Sequence, residues 1–351
     1  MYRSIQLCRA IAAGMVMMVH LTGVIASSTY FGLAGADIPF NFGRAGVEFF
    51  FVLSGFIITF VHWNDFGKPI HLAQYAKKRA IRIYPTYWMI FAVVYLVAAI
   101  SLSNRVTLTP AALIRTLSLL PQPSTDPVIG TTAPILGVAW SLQYEILFYV
   151  LMAVYVVNFT LGSLISIAAL ANLLACRAGY CVASAPYLQT NFLLLFGLGV
   201  LTAIACKKWA IMKFPRVLAG LGVVAFAITG LWNDVTGERL TLAYGAASAA
   251  IVMGLVKAED GGTLRISWDW PILIGDASYA LYLIHYPMIL MLSKIAMRIG
   301  LHGLLGAVVS APLIVAACIA SALGFHRFVE RPLLRAFASP RGRLKVAAVG
   351  S

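Results

Sequence analysis

Acidic residues are scarce in this chain. Asp and Glu together number 12 in 351 residues against 26 Lys and Arg, and charged residues of both signs make up only 11%. A typical soluble domain carries about 25%. No stretch is long and polar enough to form a second, soluble domain. The five cysteines (Cys8, Cys176, Cys181, Cys206 and Cys318) contain no CxxC pair and no zinc-like spacing. They give no reason to expect a metal or a thiol-redox centre, and most read as small residues of a membrane core. No internal repeat is visible.

What is abundant is apolar surface. Hydrophobic residues make up 61% of the chain and the mean hydropathy is +0.89. We therefore expect an all-α, polytopic integral membrane protein, one domain over 1–351 with its core at about 4–335 and a basic tail at 336–351. A membrane-spanning helix needs about 20 apolar residues. About ten such stretches can be read, at 5–26, 45–62, 83–101, 138–157, 160–176, 188–206, 215–232, 239–256, 271–293 and 303–325. The first resembles a secretory signal peptide, but Arg9 interrupts it and many spans follow, so it reads as an uncleaved span.

The net charge of +14 raises nucleic acid as a partner, but the spans supply a better cause. With both termini in the cytoplasm, 19 of the 26 Lys and Arg fall on inside segments, as the positive-inside rule requires. Cys176 and Cys181 then flank an outside loop, where a disulfide can form. The long outside loop, 102–137, contains Thr109-Pro110, an N-cap followed by a first-turn proline. A short amphipathic helix on the outer surface is expected after it.

Charged or titratable groups within a bilayer are costly and usually mark a site. Arg9 and His20 stand in the first span, eleven positions apart. Eleven steps of 100° amount to three turns plus roughly 20°, so both project from nearly one helix face, about 16 Å apart along the axis. A strong cation and a proton-transfer group on one stripe suit a long anionic ligand, gripped at one end and reacted at the other. Counting depth along the spans puts His20, Glu48, Glu145 and His285 at one level towards the outer face, where two carboxylates and two imidazoles suit acid/base work. Towards the inner face stand Arg9, Lys78, Arg79 and Arg82, with Asp276, Arg327, Glu330 and Arg331 near the same level. Arg79 and Arg82 share a face at i,i+3, and arginine forks suit phosphate. Each group also has a plainer role: Arg79 and Arg82 as topology signals, Glu48 and Glu145 as interhelical hydrogen-bonding groups, His285 as a ring that satisfies backbone loosened by Pro287.

Six segments, in order, resemble the membrane acyltransferase-3 family. They are Arg9-x10-His20; Gly46-Val47-Glu48-Phe49-Phe50-Phe51-Val52-Leu53-Ser54-Gly55-Phe56; Arg79-x-x-Arg82 with Ile83-Tyr84-Pro85-Thr86-Tyr87-Trp88; Trp140-Ser141-Leu142-Gln143-Tyr144-Glu145; Ser278 to Pro287; and Phe328-Val329-Glu330-Arg331-Pro332. The resemblance implies a ten-helix enzyme of the bacterial inner membrane, of the exopolysaccharide and O-antigen acetylating kind. It would move an acyl group, usually acetyl, from acyl-CoA to a hydroxyl of an envelope polysaccharide or lipid-linked glycan. Acetyl-CoA is then the co-substrate, held by Arg9, Lys78, Arg79 and Arg82. His20 would act as general base or accept the acyl group, with Glu48 or Glu145 fixing its tautomer and His285 beside it. The alternative from the residues alone is a proton-coupled transporter or flippase for a glycan or lipid-linked intermediate, since buried His and Glu also serve proton relays.

Overall fold

The computed structural model describes residues 2–101, 109–121, 136–183, 190–209, 211–232 and 240–337. Most of the 102–137 loop and the basic tail from 338 onward lie outside them. The described residues are mostly helical and contain no strand. In chain order the helices are α1 (Arg3–Ala26), α2 (Ala45–Val61), α3 (Leu72–Ser101), α4 (Pro110–Leu117), α5 (Trp140–Val157), α6 (Phe159–Arg177), α7 (Phe192–Lys208), α8 (Pro215–Leu231), α9 (Thr241–Asp260), α10 (Trp270–Asp276), α11 (Ser278–Arg298), α12 (Gly303–Phe325) and α13 (Arg331–Phe337). The ten expected stretches overlap these helices, the ninth (271–293) being divided between α10 and α11. Among the described residues, eight helical segments are long and apolar enough to cross a membrane, which makes this a multi-pass membrane protein. The α7 and α8 helices have 17 residues each, about 25 Å against a hydrocarbon core of about 30 Å.

The α1 helix runs through the middle of the bundle, packed on α2, α9, α10 and α11. Its first turn lacks an acidic residue. Glu259, at the end of α9, supplies one, accepting from the backbone N–H groups of Arg3 and Ser4 at 2.9 Å each. This satisfies two of the orphan donors and complements the helix dipole. Small residues let the helices approach closely. A Cβ on Gly46 would meet Ala12 O at 2.6 Å, and one on Gly55 would collide with Phe196 O on α7.

Three local features differ from the linear reading, and each moves a candidate residue. First, the second span begins as a 3₁₀ turn, Ile38–Arg44, before α2. Gly43 already packs on Met15 and Gly46 on Ala12, so α2 proper starts halfway along α1. Second, α5 also starts inside the protein. Leu136, Val138 and Ala139, which lead into it, are 2%, 4% and 0% exposed. Third, α4 forms as the Thr109-Pro110 pair predicts, with Thr109 Oγ1 accepting from Ala112 N at 3.1 Å. It does not simply rest on the surface, however. The side chains of Tyr84, Tyr87 and Trp88, in the middle of α3, donate to the carbonyls of Ser118, Thr116 and Leu117, and Ala112 and Thr116 are buried. Those aromatic hydroxyl and indole groups satisfy the carbonyls exposed at the end of a short helix, which draws it inward.

The α3 helix begins eleven residues before the expected span, so Lys77 to Arg82 are helical. Between α12 and α13 the helix widens into one π turn, His326–Glu330. Cys176 and Cys181 are joined in a disulfide.

Candidate active site

The Arg9/His20 stripe is real, and its partner is α11. Arg9 Nε donates to Ser278 Oγ at 3.1 Å, while the His20 ring lies 5.2 Å from that of His285 and 4.8 Å from Tyr286. Ser278 and His285 are seven positions apart on α11, two turns less about 20°, so both helices present one face to each other. Arg9 also donates to Gln6 Oε1 at 3.4 Å. Among the described residues no carboxylate lies within ion-pairing distance of Arg9.

A cavity of about 610 Å³ opens beside Arg9, within the usual range of about 300–1,000 Å³ for small-molecule sites. Arg9, Lys78, Arg79, Arg82, Arg331 and Arg335 line it, against two acids, Glu145 and Asp276. Such a wall concentrates anionic ligands. Arg79 and Arg82 are each held by particular contacts. Arg82 pairs with Glu330 at 2.7 Å and lies over the Tyr279 ring at 5.5 Å. The π turn lets His326 Nδ1 donate to the other Glu330 oxygen at 2.7 Å. Arg79 lies over Tyr149 at 5.7 Å. Tyr279 is anchored by its hydroxyl on Ile83 O at 2.9 Å. The predicted basic cluster is thus brought together, and Lys78 is its exposed member.

Of the four groups expected at one outer level, only His20 and His285 meet. Glu145 is in the basic cavity instead, accepting from Ser54 Oγ at 2.9 Å and Tyr149 OH at 2.6 Å. The reason is the inward start of α5: its approach through Leu136, Val138 and Ala139 is already buried, so Glu145, five residues after the partly buried Trp140, lies beyond the level of His20. Glu48 is displaced for a parallel reason. The 3₁₀ turn occupies the outer part of its span, and Gly46 packs on Ala12, so Glu48 lies nearer the level of Arg9 than of His20. Among the described residues, neither carboxylate hydrogen-bonds to His20.

His285 is fully buried. Its Nδ1 lies 3.0 Å from Leu281 O, and a carbonyl can only accept, so the proton is on Nδ1. Nε2 then carries a lone pair, and it is buried without a hydrogen-bond partner among the described residues. Between this imidazole and the cavity stand Tyr282, with its ring 5.8 Å from His285, and Phe50, 6.1 Å from Tyr282. Both line the cavity. Tyr282 OH donates to Val138 O at 2.8 Å and accepts from Ser141 Oγ at 2.7 Å. That pins the buried start of α5 onto α11.

Several of these residues were given no role from the sequence: Tyr149, Tyr279, Tyr282, Ser54 and His326. Some signal was present. Tyr149 is four residues after Glu145, and Glu330 four after His326, the spacing at which helical side chains meet.

Comparison with known proteins identifies the family. The sequence model of acyltransferase family 3, described as "Acyltransferase domain", matches residues 2–325. The chain is 30% identical over 330 residues to "Exopolysaccharide production protein ExoZ" of Rhizobium meliloti (strain 1021), covering 89% of this chain and 94% of that one. It is 26% identical over 331 residues to a candidate peptidoglycan O-acetyltransferase, YrhL, of Bacillus subtilis (strain 168). That match covers 84% of this chain but only 51% of the relative, so the chain spans about half of YrhL. No solved structure matches significantly. The match over nearly all the described helices places this chain in acyltransferase family 3, as a multi-pass membrane acyltransferase.

Proposed function

We propose that this protein takes an acyl group, acetyl, from cytoplasmic acyl-CoA and delivers it to a hydroxyl of an extracytoplasmic or lipid-linked glycan across the bacterial inner membrane. One observation carries the reading. A single face of α1 joins a basic cavity at Arg9 to a histidine pair at His20, both against α11. A coenzyme A thioester has phosphates at one end and the reactive carbon at the other, and the stripe has the matching order. The names of the two relatives, which concern exopolysaccharide production and peptidoglycan O-acetylation, support a glycan hydroxyl as acceptor.

The orientation follows from charge. The cavity end of the bundle carries most of the basic residues and faces the cytoplasm. The Cys176–Cys181 disulfide is at the far end of α6, consistent with an oxidising exterior. Arg79, Arg82 and Lys78 meet the phosphates, while Arg9 steers the pantetheine arm along α1.

In the transfer, the acceptor oxygen attacks the thioester carbon while an imidazole nitrogen of His20 takes the hydroxyl proton. The C–S bond then breaks, and the imidazolium returns that proton to the leaving thiolate. Direct attack by the same nitrogen would break the C–S bond, expel the coenzyme A thiolate and give an acyl-imidazole; the acceptor hydroxyl would then take the acyl group, freeing the imidazole and losing its proton to the thiolate. Either route needs a neutral His20 and support for its cationic form. The lone pair on His285 Nε2 provides that support in the position where a carboxylate was expected. Glu145 acts in the donor cavity, where its hydrogen bonds to Ser54 and Tyr149 hold α2 against α5.

The test is His20→Ala in cells whose surface glycan is O-acetylated, with equal protein in the membrane. Loss of glycan acetyl is expected, and undiminished acetylation overturns the role of His20. Binding of acetyl-CoA to the purified protein separates this reading from a transporter, which has no reason to bind it.

A further inference from the structure

Arg79 has an imidazole at its back. His62, the residue after α2, is only 2% exposed, although it stands at the end of a helix. Its Nδ1 lies 2.7 Å from Asp65 Oδ2, and its Nε2 lies 3.5 Å from Arg79 Nη2. The carboxylate can only accept, so Nδ1 carries the proton and Nε2 is left as an acceptor. The guanidinium can only donate. The direction of the chain is therefore fixed: Arg79 donates to His62, which donates to Asp65. The Tyr75 ring meets the His62 ring edge-on at 4.9 Å, and Tyr75 OH donates to Tyr149 O at 3.1 Å. Tyr149 is the ring over which Arg79 lies. The guanidinium is thus held between an acceptor on the loop after α2 and an aromatic face on α5.

We propose that His62 and Asp65 are positioning residues, which act through Arg79 to aim its guanidinium into the cavity at an anionic group of the ligand. The proposal rests on the reading of the cavity as the acyl-CoA site. An arginine recognises phosphate as a planar fork, so its orientation matters as much as its charge. The relay supplies that orientation without cancelling the charge, which a direct carboxylate partner would do. Arg82, by contrast, is paired directly with Glu330. The two arginines then divide the work: Arg82 ties α3 to the π turn, and Arg79 keeps its charge for the ligand.

The arrangement depends on a neutral imidazole. Burial holds the His62 pKa below its ordinary value, and the nearby cations Arg79 and Lys78 act in the same direction, against the opposing pull of Asp65. The other titratable groups around it are Tyr75 and, through Asp65 at 4.0 Å, His71. Protonation would turn Nε2 into a donor facing another donor.

The test uses the purified full-length protein and coenzyme A as the probe, with dissociation constants measured at neutral pH. His62→Phe keeps the ring but removes both nitrogens, and is expected to weaken binding about tenfold, as is Arg79→Ala, the scale of a charge-assisted hydrogen bond. His62→Gln, whose amide can both accept and donate, should bring affinity back to within about threefold of wild type. His62→Phe with Arg79→Ala should bind no more weakly than Arg79→Ala alone, the non-additivity expected of residues that act through one another. Asp65→Ala, at a partly exposed position, tests the same chain should His62→Phe not fold, and should weaken binding without adding to Arg79→Ala. Affinity indifferent to His62 and Asp65, or losses that simply add to that of Arg79→Ala, overturns the relay while leaving the donor site intact. Wild-type protein that does not bind coenzyme A, or binds it independently of Arg79, overturns the donor-site reading and the relay with it.

Discussion

Arg82 on α3 and Glu330 in the π turn after α12 meet at 2.7 Å across 248 positions of sequence, with Glu330 only 1% exposed. The second Glu330 oxygen is occupied by His326. Removing one partner of a buried pair leaves the other uncompensated, a cost of about 3–5 kcal/mol. Glu330 faces both a partly exposed arginine and a histidine, so the lower end of that range applies. Glu330→Ala should therefore lower the thermal stability of the detergent-solubilised protein and expose α13 to proteolysis. Glu330→Gln, which keeps the shape and part of the hydrogen bonding, should cost less. Equal melting temperatures for wild type and Glu330→Ala would count against the pair as a tie.

The two histidines predict a separation of binding from transfer. The cavity lining does not include His20 or His285. His20→Ala should abolish glycan acetylation and leave coenzyme A affinity within about threefold of wild type, since no cavity contact is removed. Arg79→Ala should do the reverse, weakening the donor first. His285→Gln is the finer probe. Its amide N–H can still donate to Leu281 O, but the basic Nε2 is gone, so the transfer rate should fall while the fold and donor binding persist. A His20→Ala protein that lost coenzyme A binding in parallel with activity would contradict this division.

Arg9 with His20 was legible in the sequence because helical periodicity is set by backbone geometry and holds wherever the helix begins. Depth is different, because it is counted from an assumed start. The levels of Glu48 and Glu145 were misread for that reason. A 3₁₀ turn at Ile38–Arg44 takes up the outer part of one span, and an approach through the buried Leu136, Val138 and Ala139 starts α5 well inside the bundle. Neither feature has a hydropathy signature, since buried coil and buried helix are equally apolar. The basic cluster was legible as composition, but its order was not. That Arg82 is neutralised and Arg79 is relayed depends on a π turn and on a histidine just past a helix end, both set by tertiary contacts.

Close helix packing gives a prediction independent of chemistry. Gly55 on α2 and Gly199 on α7 face each other, and a Cβ on either would collide with the backbone of the opposite helix. Backbone cannot rotate away as a side chain can. Gly55→Ala should therefore force α2 and α7 apart and destabilise the protein by at least about 1–3 kcal/mol, the usual cost of overpacking. Gly14→Ala is the control, because a Cβ there meets nothing within 4 Å. Its stability should equal or slightly exceed that of wild type, given the better helix propensity of alanine. Differential melting of the two variants decides the point.

Glu145 separates a structural carboxylate from a catalytic one. A single oxygen, Oε1, accepts from both Ser54 and Tyr149, so it joins α2 to α5 at the wall of the donor cavity. If its part is to hold this wall, Glu145→Gln should preserve much of the activity, because the amide oxygen accepts the same two bonds. Glu145→Ala should leave the Tyr149 hydroxyl unpaired at a cost of about 1–3 kcal/mol and raise the KM for acetyl-CoA through the loosened Tyr149 ring under Arg79. A proton-transferring carboxylate behaves otherwise: Glu145→Gln would be as inactive as Glu145→Ala, and the loss would fall on kcat. Measuring kcat and KM for both variants distinguishes the two roles. The position of Glu145 among the arginines, away from His20, predicts the first pattern.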